Sequence, residues 1–273
     1  MNALSALLAL AAGTAGLAFP FVQGPATFPL ILVITALCFA ASVSHAAVSR
    51  GGRSAAGLVL IVTGGSLCIE IAGLRFGLPF GPYVYGDGLG PQVFGVPLLV
   101  PLAWTMMAYP AVVIASRITT HRVWGSIAAG CALGAWDLFV DPLMVREGFW
   151  RWAAAGPTLA GIPLTNYLGW IGMVALLTIF LWPLLVRRRA VGWRDDRVPV
   201  ALYAGSGVVL LMKTIVQDMP GAALTGALGM GAVLWLAAIK QHRPAEVIGP
   251  ADQRWARPAL ATEGQQDVSR AAP

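Results

Sequence analysis

The sequence predicts an all-α protein: a polytopic membrane helix bundle of about eight transmembrane helices, both termini cytoplasmic. Three observations carry that prediction. Of 273 residues, 58% are apolar and 11% are charged, against about 25% charged in a typical soluble domain. That is too little charge to cover so apolar a chain in water, so lipid must be the solvent for much of it. The apolar residues gather in runs of roughly 20, the length that crosses a bilayer as a helix. The basic residues gather in alternate loops, as the positive-inside rule requires.

The first run, 3–22, sits where a secretory leader would. No Lys or Arg precedes Arg50, so it lacks a leader's basic start and is read as a true span. The second, 28–48, ends just before Arg50 and Arg53. The third, 56–75, carries Glu70 near its end. The fourth, 96–116, is followed by Arg117. The fifth, 123–142, follows Arg122 and carries Asp137 and Asp141. The sixth, 166–186, opens on Asn166 and precedes Arg187, Arg188, Arg189, Arg194 and Arg197. The seventh, 199–217, carries Lys213, and the eighth, 221–239, precedes Lys240. Beyond it the composition turns to Pro, Ala, Gln, Glu, Arg and Asp with no apolar period. Residues 1–240 are therefore read as the transmembrane domain and 241–273 as a disordered cytoplasmic tail. No internal repeat is read.

The segments after the second, fourth and sixth runs, with the tail, hold 14 of the 18 basic residues. The opposite loops hold only Arg75, Arg146 and Arg151. The net charge of +6 is thus topological, and no nucleic-acid partner is expected. Cys38, Cys68 and Cys131 lie inside spans without CxxC spacing and are read as small buried apolar residues. His45, His121 and His242 form no HxxH or HxxxH pair, which removes the usual zinc and di-iron readings. Neither a metal nor another cofactor is expected.

Two segments on the side opposite the basic loops, 73–97 and 141–170, are rich in Gly, Pro and aromatics. Gly and Pro specify tight turns, and Trp and Tyr favour the membrane interface. Loops this long are often functional. Interfacial anchoring is the reading for most of the individual Trp residues.

Ionisable groups inside spans are costly and mark functional sites by default. Glu70, Asp137, Asp141 and Lys213 are the candidates, and all four fall toward the outer ends of spans that run the same way. Asp137 and Asp141 are four residues apart and share a helix face. Pro142 is expected to end that helix. Two carboxyls so close in low dielectric tend to hold one proton between them, leaving an acid beside a base. The structural alternatives are ion pairs of Asp141 with Arg146 or of Lys213 with an aspartate, and a snorkelling Lys213. Glu70 competes with an interfacial role, Asn166 with an N-cap role, and Tyr83 and Tyr85 with interfacial anchoring. Asp87 and Asp218 are read as turn residues. Gly130 and Gly134 form a GxxxG on the aspartate span, a sign of close helix packing.

Glu70 followed by FGLPFGPYVYGDGLGPQVFGVP at 76–97, PLAWTMMAYP at 101–110, AWDLFVDPLM at 135–144, GFWRW at 148–152 and IPLTNYLGW at 162–170 together resemble the bacterial and archaeal carotenoid-biosynthesis membrane family. That family includes the CruF-type carotenoid 1,2-hydratases. The motifs cover roughly residues 65–175. One departure stands in GPTLAG, where an aromatic is expected and Thr158 and Leu159 occur, with consequences for the fit of the substrate end group. The resemblance implies cofactor-independent addition of water to the terminal double bond of an acyclic carotenoid, giving a tertiary alcohol at the cell membrane. It implies the lipid bilayer as setting and other carotenoid-pathway enzymes as candidate partners. Protonation of the alkene would form a tertiary carbocation that water captures. Such chemistry needs a carboxylic acid in a dry site, a second group for the water and aromatic faces near the cation. Asp137 and Asp141 are assigned to the acid and water-handling roles, Glu70 to the proton network, and Tyr83, Tyr85, Trp136 and Asn166 to the pocket.

Three other readings compete. An oxygenase lacks its histidine cluster, and no GxGxxG is present. A membrane prenyltransferase would use Asp137–Asp141 as a DxxxD motif with magnesium, but only one such motif occurs. A proton-coupled transporter would thread the buried acids and Lys213 along a pathway.

Overall fold

The computed structural model describes residues 3–153, 156–186 and 196–241. The expected tail from residue 242 on, with Arg243, Arg254, Arg257 and Arg270, and Arg187, Arg188, Arg189 and Arg194 lie outside the described residues. Helix α1 (Ala3–Gly16) passes through short 3-10 turns at Phe19–Phe21 and Gly24–Ala26 into α2 (Thr27–Arg50). Helix α3 (Gly52–Gly57) widens into a π-helical stretch, Leu58–Gly64, and continues as α4 (Gly65–Phe76). Then follow α5 (Leu99–Ile118), α6 (Arg122–Arg146), α7 (Leu164–Leu185), α8 (Arg197–Val216) and α9 (Pro220–Gln241). Among the described residues eight helical stretches are long and apolar enough to cross a membrane, with α3 and α4 joined as Gly52–Phe76. The protein is a multi-pass membrane helix bundle.

Helix α5 forms the axis. Of its apolar stretch 83% is buried within the protein, against 28% for the span that begins with α1. It packs on α2, α6, α8 and α9. At the basic end, Asp196 clamps two arginines: Arg50 Nη2 at 2.6 Å and Arg117 Nη2 at 2.8 Å, all three side chains nearly buried. This joins α2, α5 and the start of α8. Further along α2, His45 Nδ1 meets the Tyr109 hydroxyl at 2.8 Å.

The GxxxG expectation has a physical counterpart. A Cβ on Gly130 would run into the Ile171 carbonyl oxygen, and one on Gly134 would crowd the Ile171 side chain. Helices α6 and α7 touch there because neither glycine carries one. Two other expectations are corrected. Pro142 does not end α6, which continues to Arg146. The proline costs one backbone hydrogen bond, a loss that packed membrane helices accommodate. Cys38 is buried, but Cys68 and Cys131 are exposed on their helices, which fits thiols small and apolar enough to face lipid.

At the opposite end the two Gly/Pro-rich segments interlock. Strand β1 (Tyr83–Tyr85) pairs antiparallel with β4 (Trp150–Trp152), Tyr83 opposite Trp152 and Tyr85 opposite Trp150. Strands β2 (Gln92–Val93) and β3 (Val96–Pro97) form one hairpin. Strands β5 (Thr158–Leu159) and β6 (Ile162–Pro163) form another. Both hairpins turn through two residues of positive φ, Phe94–Gly95 and Ala160–Gly161, the turn geometry that matches strand twist. Each turn sets its following helix directly on the strand end.

Candidate functional site

A cavity of about 760 Å³ opens beneath β1 and β4, and Glu70, Tyr83, Tyr85, Trp136, Asp141 and Asn166 all line it. Six of the seven residues singled out from the sequence thus line one cavity. The seventh, Asp137, is fully buried and lies behind the lining.

Helix periodicity puts Asp137 and Asp141 on one face of α6, and α7 supplies their partner. Asn166 donates its side-chain N–H groups to Oδ2 of Asp137, at 3.2 Å, and to Oδ2 of Asp141. Helix α7 begins at Leu164, with Pro163 in the capping position. Asn166 is therefore no N-cap: it is already inside the helix, and its amide serves the aspartates. Oδ1 of Asp137 receives no N–H or O–H from the described residues. The expected alternative of an Asp141–Arg146 ion pair does not form, because the described ion pairs involve Asp196 and Glu147 alone among the acids.

Glu70 projects from α4 into a set of donors. The hydroxyl of Tyr83 and that of Tyr85, the latter at 2.8 Å, donate to Oε2. The Trp104 indole N–H donates to Oε1 at 3.1 Å. Glu70 is buried, 3% exposed. Both tyrosines spend their hydroxyls on this carboxylate. Burial first, and the Glu70 carboxylate after it, raise both tyrosine hydroxyls above the ordinary value. They remain protonated donors at any physiological pH.

The rest of the wall is aromatic. Trp104 and Trp170 stack with centroids 4.2 Å apart and planes 18° apart. Phe80 sits edge-on to Trp104 at 6.3 Å, and Tyr85 meets Trp150 edge-on at 5.8 Å. The Trp136 indole N–H is buried without a partner among the described residues. Sequence reasoning treated most Trp residues as interfacial anchors. That suits Trp124 and Trp235, which are 64% and 62% exposed, but not Trp104, Trp136 or Trp170, which are buried.

A signal for the stacked pair was present and unread. Residues 90–104, GPQVFGVPLLVPLAW, and 156–170, GPTLAGIPLTNYLGW, share the spacing GPxxxGxPLxxxxxW. The structure repeats with the spacing: each GP leads a hairpin, and Leu98 and Leu164 donate their backbone N–H to Pro91 O and Pro157 O at 2.9 and 3.0 Å. Each motif ends on the tryptophan that stacks on the other's. Acidic spans precede both: α4 with Glu70, α6 with the aspartates. At the departure, Thr158 and Leu159 are both exposed in β5 and neither lines the cavity.

Lys213 belongs elsewhere. It is fully buried, so it does not snorkel, and its partner is Glu147 at 3.2 Å, not an aspartate. Among the described residues no group of three or more His, Cys, Asp or Glu side chains is arranged to hold a metal ion.

The sequence pattern of the carotenoid biosynthesis protein family matches residues 28–236. A bisanhydrobacterioruberin hydratase from Haloarcula japonica is 36% identical over 133 residues, covering 45% of this chain and 44% of that protein. The chain thus spans less than half the length of that relative. No solved structure matches the chain.

Proposed function

Because the chain belongs to the carotenoid biosynthesis protein family, we propose that it is a hydratase adding water to the terminal double bond of an acyclic carotenoid. The observation that carries this reading is a carboxyl, Asp141, presented to an aromatic-walled cavity and backed by a second carboxyl through one shared amide. The relative's name supports it: that protein is a bisanhydrobacterioruberin hydratase. In this reading the protein lies in the cell membrane with both termini cytoplasmic, residues 1–240 form the working domain, and no cofactor takes part.

Asp141, holding the proton of the pair, gives it to the CH carbon of the terminal isopropylidene group. The other alkene carbon becomes a tertiary cation. The faces of Trp104, Trp136 and Trp170 stabilise that charge while their bulk keeps bulk water out. One water adds to the cation, and its surplus proton returns to the aspartate pair. The alkene and one water are consumed, one tertiary alcohol forms, and the enzyme is restored. Asp137 does not touch substrate in this scheme. It holds Asp141 and Asn166 in register and takes part in exchanging the proton. Glu70, with Tyr83 and Tyr85, fixes the β1–β4 roof and supplies negative potential across the cavity from the cation.

The test is expression in a host that accumulates an acyclic carotene. The product is expected to gain the mass of one water, with its oxygen from labelled water. An oxygen derived from dioxygen would mean an oxygenase, and a requirement for magnesium and a prenyl diphosphate would mean a prenyltransferase. Proton-dependent uptake without any altered carotenoid would mean a transporter.

Glu70→Gln is a sharper probe of the second acid. The glutamine amide turns a donor toward three donors, leaving at least one unsatisfied at about 1–3 kcal/mol. Turnover is expected to fall about 100-fold, with a lower melting temperature. A normal rate at a lowered melting temperature would reduce Glu70 to a structural latch.

A further inference from the structure

The cavity is much taller than the acid site. Its wall continues along α8 from Leu210 to Arg197, and from Phe19 along α1 to Ala6. Thirteen residue steps on each side, most of them at the α-helical rise, give about 20 Å of wall, roughly two thirds of the ~30 Å hydrocarbon thickness of a bilayer. Below the acids the lining is mostly hydrocarbon. Thr14 and Ser206 line it but spend their hydroxyls on Leu10 O and Tyr203 O of their own helices. Thr35 is another hydroxyl of the lining, and Arg197 stands at the far end of the α8 wall. Between the acids and Arg197 such a wall offers chiefly length and apolar contact.

The wall is also open on one side. Gly13 of α1 and Gly205 of α8 both line the cavity and are exposed, and a Cβ added at either meets no atom within 4 Å. Nearer the acids the two helices close up: a Cβ on Gly16 would lie 3.2 Å from Val209. The cavity is therefore shut beside the acids and parted toward lipid below them.

Resting on the hydratase reading, we propose that the α1–α8 groove is the subsite for the polyene chain of the substrate. The reacting end group enters the acid site, and about 20 Å of the attached chain lies along the groove, entering sideways from the bilayer between α1 and α8. The occupant follows from the continuity of this wall with the acid site and from its chemistry: a long, unfunctionalised hydrocarbon. The enzyme then selects for chain length as well as for the end group, and a short isoprenoid with the same isopropylidene end uses only the acid site.

Gly13→Leu and Gly205→Leu test this in the full chain, in detergent or in vesicles. Two probes are used: an acyclic carotene, and geraniol, which carries the same end on a chain too short to run along the groove. Carotene binding is read by quenching of tryptophan fluorescence, since Trp104, Trp136 and Trp170 line the site, and geraniol binding by its competition with the carotene. Each variant is expected to weaken carotene binding at least about tenfold, as loss of two buried CH2 contacts suffices, with geraniol affinity within about twofold of wild type. Unchanged carotene binding in both variants overturns the proposal, as do equal losses on both probes. Carotene binding that is lost in the variants while wild-type protein forms no hydrated product upholds the groove and overturns the hydratase.

Discussion

Asp141→Asn is expected to lower the hydration rate about 10⁴-fold and Asp137→Asn about 100-fold, the upper and lower ends of what a positioned general acid contributes. The asymmetry follows from geometry. Both aspartates accept from Asn166, but only Asp141 lines the cavity. Asparagine at 141 keeps the size and leaves no acid at the substrate. Asparagine at 137 leaves the acid in place and removes only its exchange partner. Both substitutions replace a carboxyl by an amide of the same shape, so insertion and helix packing are expected to survive. Expression level and melting temperature check that. An Asp141→Asn protein within tenfold of wild type sinks the acid assignment. A larger loss at 137 than at 141 reverses the two roles.

The parts legible in the sequence were those set by local pattern. Lipid demands long apolar runs, so the spans could be counted from composition alone. Four-residue spacing placed Asp137 and Asp141 on one face, and the loop composition flagged the segments that cover the site. Contacts between distant segments were not legible. No local period says that β1 pairs with β4, that Asn166 on α7 reaches both aspartates on α6, or that the Trp104 N–H finds Glu70 across 34 positions. Pro142 misled because its rule describes an isolated helix, whereas α6 is held by its neighbours. The shared spacing of 90–104 and 156–170 is different: it was in the sequence all along. Its meaning emerges only when the two tryptophans that end it are seen stacked. The site is then a meeting of two similar units, each bringing an acidic helix, a strand, a hairpin and a tryptophan to one cavity.

Lys213 separates structural from chemical use of a buried charge. Its ammonium lies 2.5 Å from Val22 O and 3.2 Å from Glu147 Oε1, over the Phe19 ring at 4.9 Å. Glu147 is held in turn by Gln217 at 2.6 Å and Thr27 at 3.3 Å. One charge pair thus ties the α1–α2 connection to the ends of α6 and α8. Lys213→Met keeps the apolar stem and strands Glu147 with neutral partners. Removing one member of a buried pair costs about 3–5 kcal/mol, so a large fall in unfolding free energy is expected. The double variant Lys213→Met/Glu147→Leu removes both charges and is expected to recover much of that loss, giving strong non-additivity. Turnover per folded molecule is expected to stay within about threefold of wild type, since the pair supplies no proton to the acid site. A hundredfold loss of turnover at unchanged stability would instead put Lys213 in the reaction, and with it the proton pathway that a transporter would need.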